Sequence, residues 1–355
     1  MEGKKVFQSQ NKSRLAILSL SNMMSVPSSV VAVIQLKVPD AIFQGGSNVA
    51  LSAAEILAVA LPNGGGEPDN LERILRLLTS YDIFEEHLCS NGVRKFSLTE
   101  IGKCLATDEE GLSYSPYVLQ HNQDAYMRAW PCLKDAVENP SVEPFRKVNG
   151  GEHAMKYYTN PNQIALFNKA FIGMTSPFMR EVLEFYDGFK EVQTLVDVGG
   201  STGVSLSLIM DKFPNITKGI NFDLPQILAS APQLPGITHV AGDATEFVPS
   251  GDAVMMKWLC SGFSDDECRK MMKNCHKALP ADGKLIICDP VLPELTDEST
   301  RTKAILGGDV FMMTMYGTKK TRTEKQFKEL GIAAGFSRFS VFYIDSYLVF
   351  MEFHK

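Results

Sequence analysis

Apolar residues fall at helical spacing through residues 15–44, in stretches divided at Pro27 and Pro39, with Met, Ile, Val and Ala frequent. The spacing predicts two packed helices with an unusually apolar surface. Ser52 stands three residues before Glu55 ahead of an apolar run, a capping box in which each side chain answers a free backbone N–H, so a short helix begins there. Three glycines at 64–66 interrupt. Asp69 is then placed to cap a helix whose Leu71, Ile74, Leu75 and Leu78 form an i, i+3, i+4, i+7 stripe facing a core. Two short runs, 81–88 and 93–98, flank Asn91 and Gly92, which supply the positive φ angles of a tight hairpin turn. Helices followed by a hairpin predict a winged-helix-like unit.

Residues 111–190 are mostly helical by period, with turns near Asn139 and at 149–151. From residue 194 the texture changes to short apolar runs at 195–198, 219–223, 253–256 and 284–288, separated by helical stretches such as 203–212 and 264–279. Strands alternating with helices predict an α/β fold, a parallel doubly wound sheet covered on both faces. The expected division is residues 1–110, helical and winged-helix-like, and 111–355, built on the sheet.

The composition narrows the class of partner. The 355 residues are 45% hydrophobic and 21% charged, enough apolar material for two domains. Thirty-five Lys and Arg against 41 Asp and Glu leave a net charge of -6, so no basic field draws the chain to nucleic acid or to an anionic membrane. The segment 69–80 offers only two Arg among acids and leucines, which argues against a DNA-reading helix. Seven cysteines, an odd number without C-x-x-C spacing, suggest neither a disulfide framework nor a metal site, and a reducing cytoplasmic location is expected. The polar opening MEGKKVFQSQNKSR and the lack of an 18-residue apolar run predict no signal peptide and no membrane span.

The strongest local signal is LVDVGGSTG at 195–203, a strand that runs into glycines and then a helix. Glycine lets backbone approach a ligand where a Cβ would intrude, and the helix start presents unpaired N–H groups. Alone, the pattern also fits a plain strand-to-helix turn. Asp223 ends the next strand 20 residues after Gly203, a spacing at which an acid reaches ribose hydroxyls; Asp243 and Lys257 follow at the ends of later strands.

The blocks LVDVGGSTG, GINFDLP, GITHVAGDA, DAVMMKW, NCHKALPADGKLII and RTEKQFKELGIAAGF resemble, in order and spacing, the plant caffeate-type O-methyltransferases, over roughly residues 15–355. The resemblance implies a Rossmann-like class I methyltransferase sheet, S-adenosylmethionine as cofactor, a small aromatic acceptor and a homodimer interlocked through N-terminal helices. Carried over by motif, Gly199 contacts the methionine part of the cofactor, Asp223 the ribose, Asp243 with Ala244 the adenine, and Lys257 the cofactor side of the cleft. Ser201 departs from the glycine common in the family.

The family's general base is a His after Lys-Trp; here that block reads KWLCSGFSD and Ser261 occupies the position. The two Glu that orient the His correspond to Asp289 and Thr321. A phenol of pKa about 10 is ionised to roughly one part in a thousand at pH 7, so an enzyme without a base forgoes about 4 kcal/mol in forming the nucleophile. A pyridine nitrogen has no proton to lose, and for it positioning is most of the task. SRLAILSLSNMMSVP, LSYSPYVLQHNQDAYMRAWP, LTDESTRTKAILGGDVFMMTMYGTK and FYIDSYLVFMEF resemble the branch that methylates the ring nitrogen of nicotinate to give trigonelline.

Nicotinate is an anion and needs donors. Tyr117 and His121 share a helix face and are expected to bind its carboxylate, with Asn122 as a further contributor. Met174, Phe178, Met312 and Tyr316 match the wall of the family's acceptor pocket, although such residues are core by base rate. Ser261 either hydrogen-bonds the acceptor or makes room for it. Two alternatives remain open on the sequence: an O-methyltransferase of a phenol or aromatic carboxylate using His121 as base, and a protein that binds S-adenosylmethionine without methylating.

Overall fold

The computed structural model describes residues 12–44, 46–154, 160–229, 231–317, 319–344 and 346–355. Residues 1–11 of the polar opening lie outside the described residues. After residue 194 the chain forms a seven-stranded sheet, with strands β1 (Thr194–Val198), β2 (Lys218–Asp223), β3 (Ile237–Ala241), β4 (Ala253–Lys257), β5 (Lys284–Asp289), β6 (Arg338–Phe342) and β7 (Val349–His354); the four apolar runs are β1, β2, β4 and β5. Their spatial order is β3-β2-β1-β4-β5-β7-β6. The first five are mutually parallel, and β7 runs antiparallel to both neighbours, β5 and β6. The expected wholly parallel sheet is corrected at this edge. The chain passes from β6 to β7 by a short loop with no crossover helix, and such a connection reverses direction.

Burial explains the run-like composition of the central strands. In β1, β4 and β5 nearly every residue is buried, as a strand covered on both faces requires. One face packs Val196, Val254, Met256, Leu285 and Ile287 against Met271, Met272 and Cys275 of the helix Asp265–Ala278 and Phe327 of the helix Glu324–Ala334. The other packs Leu195, Met255 and Ile286 against Leu206 and Ile209 of the helix Val204–Lys212 and Met179 and Val182 of the helix Pro161–Val182. Strand ends on both sides of the order reversal at β1 and β4 therefore sit on a rigid base.

By packing, the chain divides into two units: residues 1–123 with 164–174, and residues 124–163 with 175–355. This division differs from one at residue 110, because Val118 and Leu119 of the helix Ser115–His121 pack on the first unit's core of Val33, Ile42, Ile56, Leu75 and Phe96. The capping box forms as expected: Ser52 N donates to Glu55 Oε2 at 2.7 Å, and Glu55 N to Ser52 Oγ at 3.3 Å.

Three local expectations are corrected in this unit. Pro27 does not divide the first helices. It lies in the first turn of Ser25–Gln35, where no intrahelical N–H is needed, and the break from Lys12–Ser21 falls before it. Glu67 rather than Asp69 caps the helix Pro68–Thr79, because Pro68 takes the first helical position. At the tip between Phe84–Leu88 and Arg94–Leu98 only Gly92 has positive φ; Gly92 N donates to Cys89 O and Cys89 N to Val93 O, so Asn91 is not asked for it.

Candidate active site

The end of β1 meets the ends of its neighbours through one set of hydrogen bonds. Gly199 N donates to Phe222 O at 2.8 Å and Ser201 N to Asp223 Oδ2 at 2.9 Å, while Leu224 N donates to Asp223 Oδ1 at 2.7 Å. Gly199, Ser201 and Gly203 all have positive φ. Ser201 adopts at φ 51° the conformation glycine would take, held there by Asp223 and by Asn221 Nδ2, which donates to Ser201 O at 2.8 Å. On the next strand Gly242 N donates to Asp223 O, and the exposed Asp243 accepts from Thr245 N and Oγ1 at 2.8 Å. Ala244 is half-buried and its carbonyl accepts from Asn274 Nδ2. Gly199, Asp223, Asp243 and Ala244 thus lie together at or just past the ends of the adjoining strands β1, β2 and β3.

Beneath the glycine turn lies Asp197, 1% exposed, with neither carboxylate oxygen hydrogen-bonded among the described residues. Burial pushes its pKa up to about 7, against the opposing pull of Lys257. Asn221 Oδ1 is likewise buried without a partner. A Cβ on Gly200 would overlap Asn221 Oδ1 and come within 2.6 Å of Asp197 Oδ2, and one on Gly199 would meet Leu259 at 2.8 Å. Lys257, at the end of β4, donates to Thr175 Oγ1 at 3.0 Å, and burial lowers its pKa. S-adenosylmethionine carries an ammonium, a sulfonium and a ribose. Orphaned acid oxygens, a carboxylate at a strand end and a turn that admits no side chain fit those groups.

After β4 the chain turns sharply: Trp258 has φ 50° and its N–H donates to Cys288 O. Ser261, 4% exposed, lies on the short helical turn Cys260–Gly262. Asp289 at the end of β5 turns one oxygen to the N–H groups of Leu259 and Cys260, both at 3.1 Å; Oδ1 has no partner among the described residues. Burial raises the Asp289 pKa to about 6 despite those donors. Asp289 therefore braces a backbone turn, in the position where the family resemblance puts a carboxylate orienting a base. Thr321 N donates to Asp309 Oδ1 at 2.7 Å. Cys260 lies against Cys268, and that contact together with burial pushes its thiol pKa well up, away from a reactive thiolate.

The expected acceptor residues fall in both units and are described in each. In the first, the Tyr117 and His121 rings lie 4.0 Å apart between centroids and are tilted by 39°, and His121 Nδ1 lies 3.0 Å from Tyr117 O. Burial lowers the His121 pKa to about 4, with the Tyr117 carbonyl opposing. Asn122 Nδ2 donates back to Val118 O, and Met174 is buried on Pro161–Val182. In the second, Phe178 is buried in the core and stacks with Phe350, while Met312 and Tyr316 are half-buried one turn apart on the helix Thr300–Tyr316. Sequence reasoning passed over Asn221 and Arg322, and it left Asp197 inside the motif LVDVGGSTG without naming it a site residue. The available signal was a charged residue inside the apolar run LVDV.

A β3-β2-β1-β4-β5-β7-β6 sheet with a glycine turn after its first strand defines a class I methyltransferase. Residues 130–337 match the family model for the O-methyltransferase domain, and residues 18–108 that for the O-methyltransferase dimerisation domain. The chain belongs to this O-methyltransferase family and is a methyltransferase. It is 54% identical to nicotinate N-methyltransferase 1 of Glycine max, covering all of both chains, and 53% identical to nicotinate N-methyltransferase 1 of Arabidopsis thaliana, covering 98% of each. Human N-acetylserotonin methyltransferase, solved in complex with SAM, superposes with a TM-score of 0.82 over 99% of each chain at 18% identity, a likeness of fold.

Proposed function

We propose that this protein is an S-adenosylmethionine-dependent N-methyltransferase that methylates the pyridine nitrogen of nicotinate to give trigonelline. The observation that carries the proposal is at residues 259–263: Ser261 stands where a base is expected, and Asp289 is committed to the turn's backbone N–H groups. Neither serine nor the adjoining suppressed thiol of Cys260 can take a phenol's proton at neutral pH. A ring nitrogen with a lone pair needs no such step. The full-length likeness to two plant enzymes named for that reaction supports the same reading.

S-adenosylmethionine supplies a methyl group on a sulfonium, and its transfer leaves S-adenosylhomocysteine. Asp223 accepts the ribose hydroxyls, Asp243 and Ala244 border the adenine, Gly199 and Gly200 leave room for the amino-acid end, and Lys257 closes the cofactor side. Tyr117 donates its hydroxyl to the nicotinate carboxylate. His121 makes a stricter demand. With Nδ1–H directed at the Tyr117 carbonyl, a neutral ring offers a lone pair at Nε2, so His121 donates to a carboxylate only as the imidazolium. The Tyr117 ring, its centroid 4.0 Å from that of His121, favours that cation. Asn122 and Met174 in the first unit, and Phe178, Met312, Tyr316 and Ser261 in the second, are the further acceptor contacts of this reading. The exposed apolar side chains of Lys12–Ser21, including Leu15 and Leu18, are covered by a second copy of the chain, in keeping with its dimerisation domain. No single helix among the described residues is long and apolar enough to cross a membrane, and seven thiols without a disulfide fit a reducing cytoplasm.

A side-by-side assay of heteroaromatic acids and phenols with labelled cofactor tests the proposal. Label is expected in trigonelline from nicotinate. Methylation of caffeate-like phenols with none of nicotinate would overturn it.

A further inference from the structure

The backbone of residues 259–263 is held from two sides by buried charges. From one side come the two hydrogen bonds to Asp289 described above. From the other comes Arg322, 1% exposed and among the largest fully buried side chains. Its Nη1 donates to Cys260 O at 2.7 Å, its Nη2 to Phe263 O at 2.8 Å, and its Nε to Asp265 Oδ1 at 2.8 Å. The two carbonyls it grips straddle Ser261. The outer side of the turn is open, since a Cβ on Gly262 would meet nothing within 4 Å. The path of the chain through Ser261 is thus held by these two charges together with the turn's own bonds, Gly262 N to Leu259 O at 3.0 Å and Phe263 N to Cys260 O at 3.2 Å. A guanidinium suits the task because its donors diverge in one plane and fix the separation of two acceptors, which the single ammonium of lysine does not do.

We propose that Arg322 is a positioning residue for methyl transfer that acts through Ser261, setting the distance between the Cys260 and Phe263 carbonyls and thereby the direction in which Ser261 meets the acceptor. The proposal rests on the reading of Ser261 as an acceptor contact. It also accounts for a buried charge that would otherwise be a net cost to the fold, since an apolar residue of similar size commonly packs as well.

A double-mutant cycle separates this role from simple scaffolding. R322M keeps an apolar stem and removes the fork. It is expected to lower kcat/KM for nicotinate at least tenfold while leaving the dissociation constant of S-adenosylhomocysteine, measured by calorimetry, within threefold. R322K, with charge but no fork, is expected to recover only part of the loss. In an S261A background the same R322M change is expected to cost less than threefold, because the residue through which Arg322 acts is gone. An equal cost in both backgrounds, or no cost in either, overturns the proposal. Should R322M not fold, D265N loosens the outer brace and gives the same cycle with S261A, with threefold to tenfold expected in the Ser261 background alone.

Hydrogen exchange at the amides of residues 259–263 decides the clamp without any acceptor. Faster exchange in R322M than in the wild type supports it, and unchanged protection overturns it. Absence of nicotinate methylation by the wild type would sink the acceptor reading and leave this outcome to stand alone.

Discussion

Asp197 and His121 give the protein two pH dependences of opposite origin. Asp197 is an acid raised to about 7 by burial, so the folded chain keeps a proton that the unfolded chain releases near pH 4. Its contribution to stability is full below about pH 4 and is lost as pH rises through 7. D197N imitates the protonated form. It should raise the Tm of the cofactor-free protein at pH 8, by an amount worth roughly 1–3 kcal/mol, and raise it less at pH 5. A D197N protein less stable than wild type at pH 8 would contradict this account of the orphaned carboxylate. His121 titrates near 4 in the free protein and must be cationic to donate to a carboxylate. The competent fraction falls tenfold per pH unit above that value, so KM for nicotinate should climb by up to about tenfold per unit from pH 6 to 8 with kcat nearly flat. H121Q, which donates without titrating, should flatten the profile. A KM independent of pH in the wild type would remove His121 from the carboxylate site.

At the scale of elements, the glycine turn after β1 is where sequence and chemistry agree most closely. Any side chain at Gly200 collides with Asn221 and Asp197, two buried groups of which Asn221 is pinned through Nδ2 to Ser201 O and His239 Nδ1. G200A should weaken S-adenosylhomocysteine binding at least tenfold by calorimetry and lower Tm, an overpacking cost of about 1–3 kcal/mol. Binding within twofold of wild type would show that the turn relaxes. The strands β1, β2, β4 and β5 were legible because burial on both faces writes itself as nearly unbroken apolar runs, whereas in β3 only Ile237 is buried and no such run forms. The helix at 265–278 was legible from its period, and its capping box, Ser264 with Glu267, completes the start. Less readable were features that depend on distant partners. The antiparallel β7 follows from a missing crossover, and the Asn91–Gly92 turn from its pairing through Cys89. Arg322 lies in a motif, RTEKQF, that was noted for family likeness, yet its grip on Cys260 and Phe263 spans about sixty positions and leaves no local pattern. Likewise Asp289 could be aligned with a base-orienting acid, but its turn toward backbone N–H groups is a property of the fold.

For the whole molecule, the charge of -6 offers an anionic acceptor no long-range attraction, which puts the burden of recognition on local donors. The same chain carries a helix, Lys12–Ser21, with no buried residue and with Leu15 at 63% and Leu18 at 59% exposed. L18D should shift sedimentation from dimer toward monomer at micromolar concentration, and an unchanged dimer would place the interface elsewhere. Membership of an O-methyltransferase family sets the sharpest question, because Ser261 occupies the position at which the family resemblance implies a base. The most direct measurement is the position of the label after the protein is given nicotinate and a cofactor carrying a carbon-13 methyl group, read by NMR of the product. The account predicts the label on the ring nitrogen, as the N-methyl signal of a pyridinium. Label in a methyl ester, or no labelled product under saturating conditions, would contradict it.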